Sequence, residues 1–222
     1  MGDQFPLRGD LAASFASDIA RKRRGMRIVR TYRTRGGSRP ECFYGDNFDG
    51  SGLSSYWTSG GAISVSGGAL TLGPSGAPSF ANNSILNVSA ETDIDWVAEV
   101  RFGQNGDQYF AVDAPSHLDG ARWERSGSDL SAIKLVNGAS SVVATVAAFP
   151  NLTTVRLRIQ TIGSTVNWYK QVVDTESNWV LMGTASFTWD GNGKMFRLGV
   201  NDVVSTMIVN RIYQETKIIV CP

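Results

Sequence analysis

Residues 92–102 read Thr-Asp-Ile-Asp-Trp-Val-Ala-Glu-Val-Arg-Phe, and their alternation decides the fold class. Ile94, Trp96, Ala98, Val100 and Phe102 fall on one face; Asp93, Asp95, Val97, Glu99 and Arg101 fall on the other. A period of two sustained over this length is a strand with one buried face, because successive side chains leave a pleated backbone on opposite sides.

The same pattern recurs outward from this stretch. Gln108 to Asp113 is expected as its partner strand across the loop 103–107. Thr153 to Gln160 alternates with Val155, Leu157 and Ile159 inward, and Gly163-Ser164 turns it into Val166 to Lys170. Upstream, Ala62–Val65 and Ala69–Leu72 flank Ser66-Gly67-Gly68, a tight hairpin. Further strands are expected over 121–124, 132–136, 142–147, 187–189, 195–200 and 206–213. Turn residues recur about every ten positions, which predicts a mainly β protein, an antiparallel jelly-roll sandwich over residues 41–222. A charged content of 18% and six Trp suit a sheet protein with many turns.

Residues 1–40 differ in kind. They hold ten basic and three acidic side chains, a charge of +7, whereas residues 41–222 hold eleven and seventeen, a charge of −6. Asp10 caps an expected helix over about 11–24, with Leu11, Phe15 and Ile19 as its apolar stripe. Arg21, Lys22, Arg23 and Arg24 occupy its last turn, where cations suit the helix dipole, and Gly25 stops it. An extended basic segment follows over 26–39, carrying Arg27, Arg30, Tyr32, Arg33 and Arg35. Three readings fit: an assembly arm on acidic protein surface, a nucleic-acid arm, or a membrane-surface helix. The assembly reading uses the helix, the alternating strand and the acidic body together. Nucleic acid is disfavoured because Tyr32 is the arm's one stacking aromatic, and a membrane because the apolar stripe is too small.

Cys42 and Cys221 bracket the β body. Two readings stay open: two unpaired thiols, or a staple between first and last strands contributing roughly 4–5 kcal/mol by chain entropy. The longest apolar run, Val142 to Phe149, is too short to span a membrane, and no apolar signal segment follows Asp3.

Asp46 to Trp57 (DNFDGSGLSSYW) followed by Ile63 to Leu72 (ISVSGGALTL) resembles the entry to concanavalin A-like lectin/glucanase jelly rolls. The resemblance spans about residues 43–215. Chains that join such a domain to a short basic arm resemble bacteriophage virion proteins of tail, baseplate or capsid surface. The resemblance implies a non-enzymatic structural protein of a phage particle, made in the host cytoplasm. Its partners would be other virion proteins and copies of itself, with host glycan as a further ligand.

Two other functions follow from the same family. A carbohydrate-binding module would stack aromatics on sugar rings, and Trp123, Trp179, Trp189 and Tyr109 with Asn178 are the candidates, while Trp96 belongs to the core. A glucanase would need carboxylates alternating on one strand; Glu91, Asp93 and Asp95 approximate that spacing, but Asp stands where the family has Glu, and Val97 separates Asp95 from Glu99. No catalytic set, cofactor or metal site is expected: His117 is the single histidine, placed in a loop, and makes no triad or zinc set.

Overall fold

The computed structural model describes residues 45–55, 57–74, 78–88, 93–104, 106–186, 188–189 and 193–215, with side chains of 83–88 excepted. The N-terminal helix and basic arm, Glu91, Cys42 and Cys221 all lie outside the described residues.

Fifteen strands are found among the described residues. In order they are β1 (Gly45–Asp46), β2 (Trp57–Gly60), β3 (Ile63–Ser66), β4 (Ala69–Leu72), β5 (Ser79–Val88), β6 (Ile94–Phe102), β7 (Gln108–Asp113) and β8 (Gly120–Ser126). They continue as β9 (Asp129–Val136), β10 (Ala139–Val146), β11 (Thr154–Ile162), β12 (Thr165–Val172), β13 (Val180–Ser186), β14 (Lys194–Val200) and β15 (Met207–Gln214). The first sheet runs β13-β12-β11-β6-β15-β4-β3, with β1 on β15; the second runs β10-β9-β8-β7-β14-β5-β2. Every pairing is antiparallel. Among the described residues no helix is long and apolar enough to cross a membrane.

β6 lies at the centre of the first sheet, and its inward set Ile94, Trp96, Ala98, Val100 and Phe102 is buried as the alternation predicts. β7 is not its partner, contrary to the sequence expectation. Both edges of β6 are taken, by β11 and β15, and loop 103–107 carries the chain into the second sheet. There β7 pairs β8 and β14 and turns Phe110 and Val112 to the same core. The expected strand at 187–189 is instead β13, which ends at Ser186. The Ser66-Gly67-Gly68 hairpin forms, with φ of +60° at Gly67 and +78° at Gly68, the backbone region that glycine reaches without strain.

The Asp46 to Trp57 stretch acts as a brace. Asp46 Oδ1 accepts from Phe48 N (2.8 Å) and Oδ2 from Trp57 Nε1 (2.9 Å). The two rings then pack 5.8 Å apart, and Trp57 meets Phe196 of β14 edge-on at 6.0 Å. Two further indoles tie the sheets together. Trp123 of β8 donates Nε1–H to the Arg158 carbonyl of β11 (3.2 Å), and Trp168 of β12 donates to the Arg122 carbonyl of β8 (3.0 Å).

Candidate functional site on the outer face of the second sheet

The outward residues of β5, β14, β7 and β8 build one polar array. Register fixes its rows. Phe80 stands opposite Gly199, Gly199 opposite Tyr109, and Tyr109 opposite Glu124. One step along, Asn82 stands opposite Arg197, Arg197 opposite Ala111, and Ala111 opposite Arg122. Two guanidinium groups therefore flank a floor made by a single methyl group.

The glycines make this arrangement possible. A Cβ on Gly199 would overlap the Tyr109 ring and hydroxyl, and one on Gly60 would lie 2.7 Å from Phe80 Cε1. Both aromatics thus lie flat across neighbouring glycines instead of standing off the sheet. A Cβ on Gly120 would likewise overlap Asp113 Oδ1.

Asp113 organises the cations. Its carboxylate accepts from Arg122 Nε (3.2 Å) and Nη2 (3.0 Å) and from Arg197 Nη1 (3.1 Å). Arg197 also donates Nη2–H to Tyr109 Oη (3.2 Å) and Nε–H to Asn82 Oδ1 (3.2 Å). The Asp113 side chain is 0% exposed, against 17% for Arg122 and 16% for Arg197. Both guanidinium carbons sit near the Tyr109 ring, at 5.6 and 5.5 Å. Glu124 is half-buried and accepts no hydrogen bond from the described residues; burial pushes its carboxyl up, against the pull of Arg122. Burial also raises the Tyr109 phenol and lowers the His117 imidazole, which the charge of Arg197 lowers further. His117 is exposed in its loop, as expected, yet within the field of this cluster.

The sequence-derived candidates do not converge. Trp123, 1% exposed, and Trp189 are buried, so neither presents a ring to a ligand. Their indoles went inward because a ring of that size stabilises most when removed from water. Tyr109 belongs to the array but is 4% exposed, so it is a floor residue and not a stacking platform. Trp179 and Asn178 lie elsewhere, beside the first sheet: Trp179 packs 5.5 Å from the Arg158 guanidinium and donates to Glu215 (3.3 Å). Phe80, Asn82, Arg122, Glu124 and Arg197 were not singled out from the sequence. The one signal for them was Gly60 and Gly199, small residues inside otherwise regular strands.

Of the acids weighed for a glucanase, Asp95 and Glu99 lie on the outer face of the first sheet and Asp93 just before β6, while Glu91 lies outside the described residues. Asp95 accepts both Nε–H (2.6 Å) and Nη2–H (2.7 Å) of Arg158, plus Gln160 Nε2 (3.2 Å). Arg156 and Arg211 converge on Glu99, whose carboxyl they hold low against the opposing effect of burial. Asp93 accepts from Gly163 N (2.7 Å). Asp95 and Val97 are buried, so this face is closed by its own side chains and is not the solvated surface the alternation alone suggests. Among the described residues no group of His, Cys, Asp and Glu could hold a metal ion.

No family model matches this sequence, and comparison with curated proteins gives no match. Solved structures do share the fold. The carbohydrate-binding module CBM66 from Bacillus subtilis aligns at 18% identity and TM-score 0.52, over 72% of this chain and 96% of that one. Xylan β-1,4-xylosidase from Bacillus halodurans C-125 aligns at 12% identity and TM-score 0.63, over 85% of this chain but 41% of that one. This chain thus spans about two-fifths of that enzyme's length. The CBM2 module of the evolved Dit of Lactobacillus casei BL23 phage J-1 aligns at 10% identity and TM-score 0.53, over 81% and 98%. These likenesses show the β-sandwich fold.

Proposed function

We propose that this chain is a non-enzymatic glycan-recognition domain carried on a phage particle and fastened there by its basic N-terminal segment. The observation that supports it most is the array on the outer face of the second sheet. Among the described residues no further layer packs on that face, yet Tyr109, Ala111 and Asp113 at its centre are sequestered. A recessed, polar floor beside a half-buried Phe80 provides what a saccharide needs: an aromatic face and fixed hydrogen-bonding groups.

Binding is favoured over hydrolysis by the placement of the acids. Glu124 stands opposite Tyr109, and Asp113 lies four residues farther along β7, a backbone offset of about 13 Å at strand rise. Asp113 is also buried beneath two guanidinium groups.

The phage setting draws on the charge contrast between +7 and −6 and on the likeness to a module of a phage protein. The chain enters the sandwich at β1, on the first sheet, and the array lies on the far face of the second.

Glycan-array binding tests the recognition reading. Phe80→Ala and Arg197→Gln are expected to abolish binding, and Trp179→Ala to retain it; loss only in Trp179→Ala would move the site to the first sheet. The mass of the particle or oligomer with and without residues 1–40 tests the fastening: an unchanged mass removes the assembly role.

A further inference from the structure

The array is richer in donors than its own acceptors can use. A guanidinium carries five N–H groups. Arg122 spends two on Asp113, and Arg197 spends one each on Asp113, Tyr109 and Asn82. Five of their ten N–H groups therefore meet no acceptor among the described residues. The two cations share one carboxylate, which is fully buried between them. Both guanidiniums remain partly open to solvent and are held by hydrogen bonds and by the Tyr109 ring.

Resting on the glycan-recognition reading, we propose that this array takes an acidic saccharide, with Arg122 and Arg197 gripping an oxyanion of the sugar and Glu124 meeting its hydroxyl groups. Planar forks of donors fixed on one side by Asp113 leave their remaining N–H groups aimed at a second acceptor, and carboxylate, sulfate and phosphate oxygens match that geometry. Glu124 makes no ion pair with either arginine, and burial raises its carboxyl against the pull of Arg122. Its carboxylate accepts no hydrogen bond from the described residues and is available to accept from sugar hydroxyls.

The test compares matched neutral and acidic oligosaccharides on the intact chain: a glucose-containing oligomer, its glucuronate counterpart, and sulfate- and phosphate-bearing versions. The acidic members are expected to bind at least tenfold tighter in low salt, with the advantage shrinking as ionic strength rises. Arg122→Gln is expected to remove the advantage of the acidic members; Arg122→Lys, which keeps the charge, is expected to retain part of it. Equal affinity for neutral and acidic members in the wild-type protein overturns the acidic preference and leaves glycan recognition standing. Absence of binding to every saccharide overturns both. Competition by free glucuronate, sulfate or phosphate identifies which oxyanion the site reads, and competition by inorganic ions as strong as by the acidic sugars overturns the saccharide component.

Discussion

Lys194 opens β14 with its side chain turned into the core, and that choice should be visible as a pH dependence of stability. The residue is 1% exposed. Its ammonium lies 3.3 Å from Thr161 Oγ1 and 5.0 Å from the centre of the Trp189 ring. Burial lowers its pKa from 10.5 to about 8, against a smaller opposing effect of Asp93. The unfolded chain therefore holds this proton until about pH 10.5, while the folded chain releases it near pH 8. Between those values the unfolded state binds more protons, so stability rises with pH. At about 1.4 kcal/mol per pKa unit, the full rise is about 3 kcal/mol, and below pH 8 the folded protein carries that whole cost. Above about pH 10 the effect is masked, because Tyr109 and Tyr213 have raised pKa values and favour the folded state less as their phenols ionise in the unfolded chain. Lys194→Met keeps the volume and removes the charge; Thr161 Oγ1 still accepts from Ile94 N (3.0 Å). Urea unfolding of both proteins from pH 6 to pH 10 is the assay. The variant should be about 1–3 kcal/mol more stable at pH 7, with the difference shrinking steadily from pH 8 upward. A variant that is less stable than wild type at pH 7, or a difference flat across this range, would refute the reasoning.

Other perturbations probe the array and the brace. Asp113→Asn leaves two guanidinium groups without their carboxylate and should cost about 3 kcal/mol, the low end for breaking a buried pair because both retain some solvent contact; a urea-measured loss below about 1 kcal/mol would show that the arginines repair themselves. Gly199→Ala displaces Tyr109, and with it the Arg197 hydrogen bond; calorimetry should find glycan affinity reduced at least tenfold. Asp46→Ala removes both acceptors of the Asp46 to Trp57 brace and should cost about 1–3 kcal/mol, with faster exchange of the Trp57 indole proton by NMR.

The sandwich was legible where one face alternates against a core. β6 and the β3–β4 and β11–β12 hairpins follow directly from period-two apolar residues and turn glycines. β5 and β13 were not legible. β5 reads Ser-Phe-Ala-Asn-Asn-Ser-Ile-Leu-Asn-Val, polar at positions where strands are usually β-branched, and β13 carries Gly183 and several small residues. Missing β5 hid Phe80 and Asn82, half of the array's left side. Tryptophan count misled for a physical reason: an indole satisfies its N–H by reaching a carbonyl across the core, as Trp123 and Trp168 do, so burial need not cost it a hydrogen bond. The site itself is spread from Phe80 to Arg197 and is assembled only by sheet order. No local pattern announces a place where outward residues of four strands meet.

Both outer faces carry arginine–carboxylate clusters, and the difference between them separates support from recognition. On the first sheet, Arg158 has its own carboxylate in Asp95 and lies between the rings of Tyr169 (4.8 Å) and Trp179 (5.5 Å). Arg156 and Arg211 close on Glu99, and Gln171 takes a further donor from Arg156. Acids and aromatics there are already matched to cations, so the cluster reads as a finished surface that covers β6. On the second sheet two arginines share one carboxylate, and Glu124 accepts no hydrogen bond from the described residues. Holding a carboxyl half-buried without a hydrogen bond costs free energy that a purely structural face has no reason to bear. An unfinished network of this kind is what the proposed recognition role would complete, and it sets the second sheet, and not the aromatic-rich first, as the surface to test for a ligand.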